Sequence, residues 1–127
     1  MLQRIAPPAG PQATGAYSPA IRAGNLIFVS GQGPFDPSSG KIAPDDIGAQ
    51  VRRTLENVEL VLQAAGSRLD EVVRVDAYLA DLEDFPRYDE TFREVFGEHL
   101  PTRTTVQAPL GGILVEINAI AYVDDAS

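Results

Sequence analysis

The chain has 127 residues, 44% hydrophobic and 22% charged, an ordinary globular composition with material for one sizeable core, so residues 1–127 are read as a single domain. A formal net charge of −8, with 10 Lys and Arg scattered along the sequence, argues against a nucleic-acid partner, because phosphate binding needs a basic patch. Cysteine is absent, which excludes disulfides, thiol nucleophiles and thiolate metal sites, and one histidine, His99, is too few for a transition-metal site, so no metal is expected.

Met1–Ile5 runs into prolines rather than an apolar segment, and no apolar run approaches the length of a membrane span. Neither a secretory signal nor a membrane partner is therefore expected, and cytoplasm is the default compartment. Residues 1–16, rich in Pro, Ala and Gly, read as an extended lead-in. Ala20–Ala23 and Leu26–Ser30 flank Gly24-Asn25 and predict a β-hairpin, whose second strand is apolar at consecutive positions from Leu26 to Val29. That strand ends in Ser30-Gly31-Gln32-Gly33-Pro34, where glycines allow close approach of a ligand to the backbone or simply close a turn. Asp36–Lys41 is a surface loop.

A first helix is predicted from about Asp46 to Ala65, because Ile47, Val51, Leu55, Val58 and Leu62 recur at spacings of three and four. Asp45 or Asp46 caps its start and Gly66 stops it. Val73, Val75, Ala77 and Leu79 alternate with polar residues as an amphipathic strand. A second helix follows over about Asp84–Phe96, with Phe85, Tyr88 and Phe92 on one face and Gly97 at its end. His99 is expected on the surface beyond it.

Pro101–Val123 reads as two strands joined by a turn at Pro109-Leu110-Gly111-Gly112. An even turn puts Arg103 opposite Asn118 and Thr105 opposite Glu116, gathering four polar side chains on one face. A register shifted by one sends Arg103 and Glu116 to opposite faces. The cluster has two readings: a structural ion pair, or an anion-binding fork beside a proton-transfer carboxylate. Spacing does not choose between them.

Two helices cover only one face of such a sheet. The strands at Leu26–Val29 and Ile113–Tyr122 nevertheless carry apolar residues for both faces. The uncovered face calls for a closed oligomer in which sheets meet, with any polar cluster there lying in a cleft between subunits.

Nearly the whole chain resembles the YjgF/Rid family of reactive-intermediate deaminases. The matching pieces are Gly15-Ala16-Tyr17-Ser18, Gly24 through Gln32, Gln50 through Asn57, Ala64-Ala65-Gly66, Asp81 through Phe85, Pro101-Thr102-Arg103 and Val115-Glu116-Ile117, in order and at compatible spacing. This resemblance implies a chorismate-mutase-like α+β domain, a mixed sheet with two helices on one face, assembled as a barrel-forming homotrimer. It further implies three inter-subunit clefts that hydrolyse small enamine and imine acids, such as 2-aminoacrylate and 2-aminocrotonate, to 2-oxo acids and ammonia without cofactor or metal.

Carried over by resemblance, Arg103 holds the substrate carboxylate and Glu116 orients or deprotonates the attacking water. Thr105 and Gly31 contribute backbone groups, and Ser30 and Tyr17 line the pocket, with Tyr17 closing it from a neighbouring subunit. Asp89 stands where many members have a pocket-facing Asn. Thr105 occupies a position that is often Cys, and Asn118 replaces an acidic residue of other members; Asp89 and Asn118 are thus further pocket candidates. Competing readings are a non-catalytic trimer that binds small acids or acts as a chaperone, a 2-aminomuconate-type deaminase, and a ribonuclease, which the charge disfavours.

Overall fold

Asp46 is extended and its carboxylate accepts a hydrogen bond from the Ala49 N–H at 2.9 Å, so α1 (Ile47–Ala64) begins on the expected cap. The computed structural model describes residues 2–124. The α1 stripe is fully buried at Val51, Leu55, Val58 and Leu62, each contributing about 1.5–3 kcal/mol of burial. Gly66 follows the helix at φ +83°, a conformation that L side chains avoid. The second helix, α2 (Phe85–Phe96), has proline in its first turn and ends at Gly97 with φ +65°. Its buried stripe is aromatic: the rings of Tyr88 and Phe92 lie 5.8 Å apart and those of Phe92 and Phe96 4.5 Å apart.

Both helices pack over one mixed sheet of β1 (Leu2–Ile5), β2 (Ala20–Ala23), β3 (Leu26–Gln32), β4 (Val72–Leu79), β5 (Thr102–Gln107) and β6 (Val115–Tyr122). The spatial order is β1-β2-β3-β6-β4-β5. Short 3₁₀ turns at Leu69–Glu71 and Leu82–Asp84 lead into β4 and α2. The β2–β3 hairpin turns at Gly24-Asn25 as predicted.

Three expectations are corrected. The lead-in contains a strand: Leu2–Ile5 pairs antiparallel with Ala20–Ala23, and the following prolines end it rather than prevent it. Val73 does not share the face of Val75, Ala77 and Leu79. A bulge opposite Ala121 and Ile120 inserts it as an extra residue, leaving Val72 buried and Val73 exposed.

The largest correction concerns the C-terminal hairpin, which does not form. β5 runs parallel to β4, and β6 pairs antiparallel with both β3 and β4, so β4 lies between the two strands expected to meet. The physical reason is the crossover. α2 returns the chain in the direction of β4, as a parallel neighbour requires. Thr102-Arg103-Thr104-Thr105-Val106-Gln107 has too few apolar side chains for the interior and takes the sheet edge. β6 buries Val115, Ile117, Ala119 and Ala121 beneath the helices and takes the middle.

The other face is uncovered. Phe28, Ile120, Arg74 and Thr102 form one row across it, and Leu26, Phe28, Val106 and Tyr122 are each 41–43% exposed. The consecutive apolar residues of β3 are therefore not buried on both sides within one chain; the uncovered side is the one for which the sequence demanded an outside cover.

Candidate functional site

Val29 pairs with Ala119 and Gln32 with Ile117, so Ser30 and Gly31 together face Asn118. This two-against-one bulge bends β3 and brings the Gly31 backbone under the side chain of Glu116. A Cβ on Gly31 would lie 2.5 Å from Glu116 Oε2 and 3.0 Å from its Cδ, so glycine is required here by close approach. Glu116 is half-buried, and no described residue donates a hydrogen bond to it or pairs with its charge. Leaving a partly desolvated carboxylate without a partner costs stability, which makes Glu116 a candidate for proton transfer.

The Ser30 hydroxyl donates to the Ser18 carbonyl at 2.6 Å, and the Ser30 N–H donates to Pro19 at 3.0 Å. Ser30 thereby ties the segment carrying Tyr17 to the bulge. The Tyr17 hydroxyl in turn accepts from the Thr14 N–H at 3.2 Å, and its ring is 44% exposed. Two depressions meet at Tyr17, Gly31 and Glu116. One, of about 560 Å³, lies on the uncovered sheet face and includes Phe28, Ser30, Asp76 and Asn118. The other, of about 520 Å³, runs toward Phe35, Asn57 and Ile113. Asp36 on its rim is held below the usual carboxyl pKa by the Ser38 hydroxyl, then by the Ser38 and Ser39 amides.

Arg103 and Thr105 lie on the opposite side of the sheet. Their cross-strand partners are Val75 and Ala77, which face the helices, whereas Glu116 and Asn118 pair with Tyr78 and Asp76 on the uncovered face. The four residues do not form the single intrachain cluster expected from a hairpin. Arg103 instead sits against α2, with its guanidinium carbon 5.4, 5.0 and 4.8 Å from the ring centres of Phe85, Tyr88 and Phe92. Its Nη2 donates to Asp89 Oδ1 at 2.8 Å, and both residues line a depression of about 240 Å³ with Phe92, Arg93, Leu100 and Pro101. Thr105 Oγ1 is 2.8 Å from the Tyr88 hydroxyl. Burial pushes the Tyr88 pKa above its ordinary 10.0, against the opposing effects of Thr105 and Arg103.

The predicted residues thus fall into two groups on opposite sides of the sheet: Glu116, Gly31, Ser30, Tyr17 and Asn118 in one, Arg103, Thr105 and Asp89 in the other. Among the described residues, no group of three or more His, Asp or Glu side chains is placed to hold a metal ion. His99 is exposed beyond α2.

Two supporting residues were missed as such. Gln50 is 2% exposed; its Nε2 donates to the carbonyls of Ala43 and Pro44, while its Oε1 accepts from Leu114 N–H at 2.8 Å, two residues before Glu116. Asn57, also 2% exposed, donates to the carbonyls of Gly33 and Phe35 at 2.9 and 2.7 Å, just beyond the bulge. Their signal was available: two amides on the apolar face of a predicted helix, one heptad apart, must find buried partners.

The family model described as endoribonuclease L-PSP matches residues 8–123. A RutC family protein of Pyrococcus horikoshii is 45% identical over 114 residues, spanning 88% of this chain and 90% of the relative. A 2-iminobutanoate/2-iminopropanoate deaminase of Salmonella typhimurium is 35% identical over 126 residues, 95% of this chain and 98% of its own. The crystal structure of Escherichia coli TdcF with bound serine superposes with a TM-score of 0.88 at 35% identity, covering 94% of this chain and 98% of that one.

Proposed function

This chain belongs to the endoribonuclease L-PSP family, the YjgF/RutC family, and from that premise we propose that it hydrolyses small 2-imino and 2-enamino acids to 2-oxo acids and ammonia. The observation that carries the reading is the half-buried carboxylate of Glu116, without a partner among the described residues and held over Gly31 where two depressions meet. Such a group accepts a proton from water and aims its oxygen at a neighbouring electrophile.

Arg103 anchors the substrate carboxylate with the remaining N–H groups of its planar fork, a task to which the compact lysine ammonium is ill suited. Because one chain holds Arg103 and Glu116 on opposite sides of its sheet, the complete site is assembled between subunits. A homotrimer with one cleft at each interface satisfies this requirement. The uncovered face, with Leu26, Phe28, Val106 and Tyr122, supplies the apolar surface for that assembly.

In the cleft, Glu116 orients the water, backbone groups at Gly31 and Thr105 position the substrate, and Ser30, Tyr17 and Asn118 shape the walls. Asp89 borders Arg103. The work is mainly one of positioning, since an imine carbon is already electrophilic. A net charge of −8 speaks against RNA as the substrate despite the family's description.

The test couples a serine or threonine dehydratase to a limiting pool of released imine and follows its decay. Wild-type protein accelerates decay, and Arg103→Ala abolishes the acceleration while remaining folded. No acceleration across several side chains, with an intact trimer, would instead favour a non-catalytic trimer that binds small acids. Activity confined to 2-aminomuconate-type acids would keep the chemistry and change the substrate.

A further inference from the structure

The ion pair between Arg103 and Asp89 has a chemical meaning of its own, and drawing it out rests on the reading of Arg103 as the carboxylate anchor. An isolated guanidinium takes any carboxylate. Here Nη2 already donates to Asp89 Oδ1 at 2.8 Å, and among the described residues no second carboxylate reaches the guanidinium. Asp89 is 38% exposed in its side chain, and its other oxygen has no hydrogen-bond partner among the described residues. Both charges open into one depression of about 240 Å³, walled by Phe92, Leu100 and Pro101, with the exposed Arg93 at its edge. A carboxylate entering beside Arg103 brings a second negative charge close to Asp89, which opposes it. A molecule that carries an N–H cation next to its carboxylate removes that conflict, because the nitrogen donates to the free oxygen of Asp89 while the carboxylate takes the free edge of Arg103.

We propose that Asp89 is a specificity-determining residue that reads the nitrogen of the substrate: the Arg103–Asp89 pair selects small acids bearing a cationic nitrogen on C2, iminium or ammonium, over plain 2-oxo or 2-hydroxy carboxylates. The same pair favours release of product. On hydrolysis the iminium carbon loses its bonds to nitrogen and gains a double bond to the water oxygen. Both water protons leave with the nitrogen as ammonium, and no redox partner is needed. The 2-oxo acid left behind has no N–H for Asp89 and is a simple anion beside a carboxylate.

Isothermal titration of the full-length protein with L-serine and with L-glycerate tests this, since the two ligands share a skeleton and differ as ammonium against hydroxyl. Wild type is expected to bind serine about tenfold more tightly than glycerate. Asp89→Asn should bring the two within about twofold, mainly by tightening glycerate. Asp89→Ser serves as a second neutral variant, and melting curves report that each is folded. Equal binding of the two ligands by wild type, or a preference that survives both Asp89 variants, overturns the proposal; if Arg103→Ala still loses both ligands, the anchor reading stands. An Arg103→Ala variant that binds like wild type, or a wild type that binds neither ligand, overturns the anchor reading and this inference with it.

Discussion

Glu116 stands on β6, which is hydrogen-bonded on both sides, while Arg103 stands on β5, bonded to β4 alone. Around Glu116 the backbone sets the geometry: a bulge, a glycine and two central strand pairings hold the carboxylate, which has no side-chain partner among the described residues. Around Arg103 the side chains set it, through three aromatic rings and Asp89. A central strand resists displacement and can hold a charge that contributes nothing to stability. An edge strand opens more readily, so its charged group must be clamped locally. In the proposed reaction this contrast separates the group assigned to water from the group assigned to the substrate carboxylate.

The sharpest way to exploit it is a pair of substitutions. Glu116→Gln should lower kcat by about 10²–10⁴-fold in the imine-decay assay, with melting temperature unchanged or raised because an unpartnered charge has been removed. Arg103→Ala should also abolish turnover but lower stability by about 1–3 kcal/mol in urea, since the rings lose their cation and Asp89 its partner. Equal stability losses in the two variants would erase the distinction.

Gly31→Ala probes the backbone-defined half alone. Its Cβ would press on Glu116 Oε2, and a carboxylate misplaced by about 1 Å should cost about 10²-fold in kcat with KM little changed. Asn57→Ala reaches the same half from behind. The carbonyls of Gly33 and Phe35 lose their donor and the buried end of the Asn57 side chain is removed, so urea denaturation should show a loss of about 1–2 kcal/mol.

The smallest effect belongs to the Arg103 half. The Tyr88 pKa is raised in the folded protein, so the unfolded chain releases this proton first. Its contribution to stability is complete below about pH 10 and declines as pH rises through the folded value. Tyr88→Phe should flatten that alkaline decline, measured by urea midpoints from about pH 9 to 11, while losing about 1 kcal/mol near neutrality with the bond to Thr105.

Much of this architecture was legible in the residues. The α1 stripe, the Asp46 cap, Gly66, Gly97 and the Gly24-Asn25 hairpin each follow from local periodicity or turn chemistry, and each is present. Strand partnership was not legible in the same way. Pro109–Gly112 indicates that the chain changes direction but not which strand it meets afterwards, and that depends on β4 being more apolar than β5. The polar makeup of Thr102–Gln107 was the available clue to an edge strand. The contact between Gly31 and Glu116 was also beyond sequence spacing, because it depends on a bulge between strands far apart in the chain. Resemblance named both residues; only the three-dimensional arrangement gives the steric reason for the glycine.

The central place of β6 also bears on how the protein is made. During synthesis β6 leaves the ribosome after the five strands with which it shares the sheet, yet it is the piece that joins β1-β2-β3 to β4-β5. Until then the two groups of strands have no edge in common, and the apolar rows of β3 and β4 wait uncovered. Glu116 therefore arrives with the closing strand, and the nascent chain cannot complete this six-stranded sheet before β6 is in place.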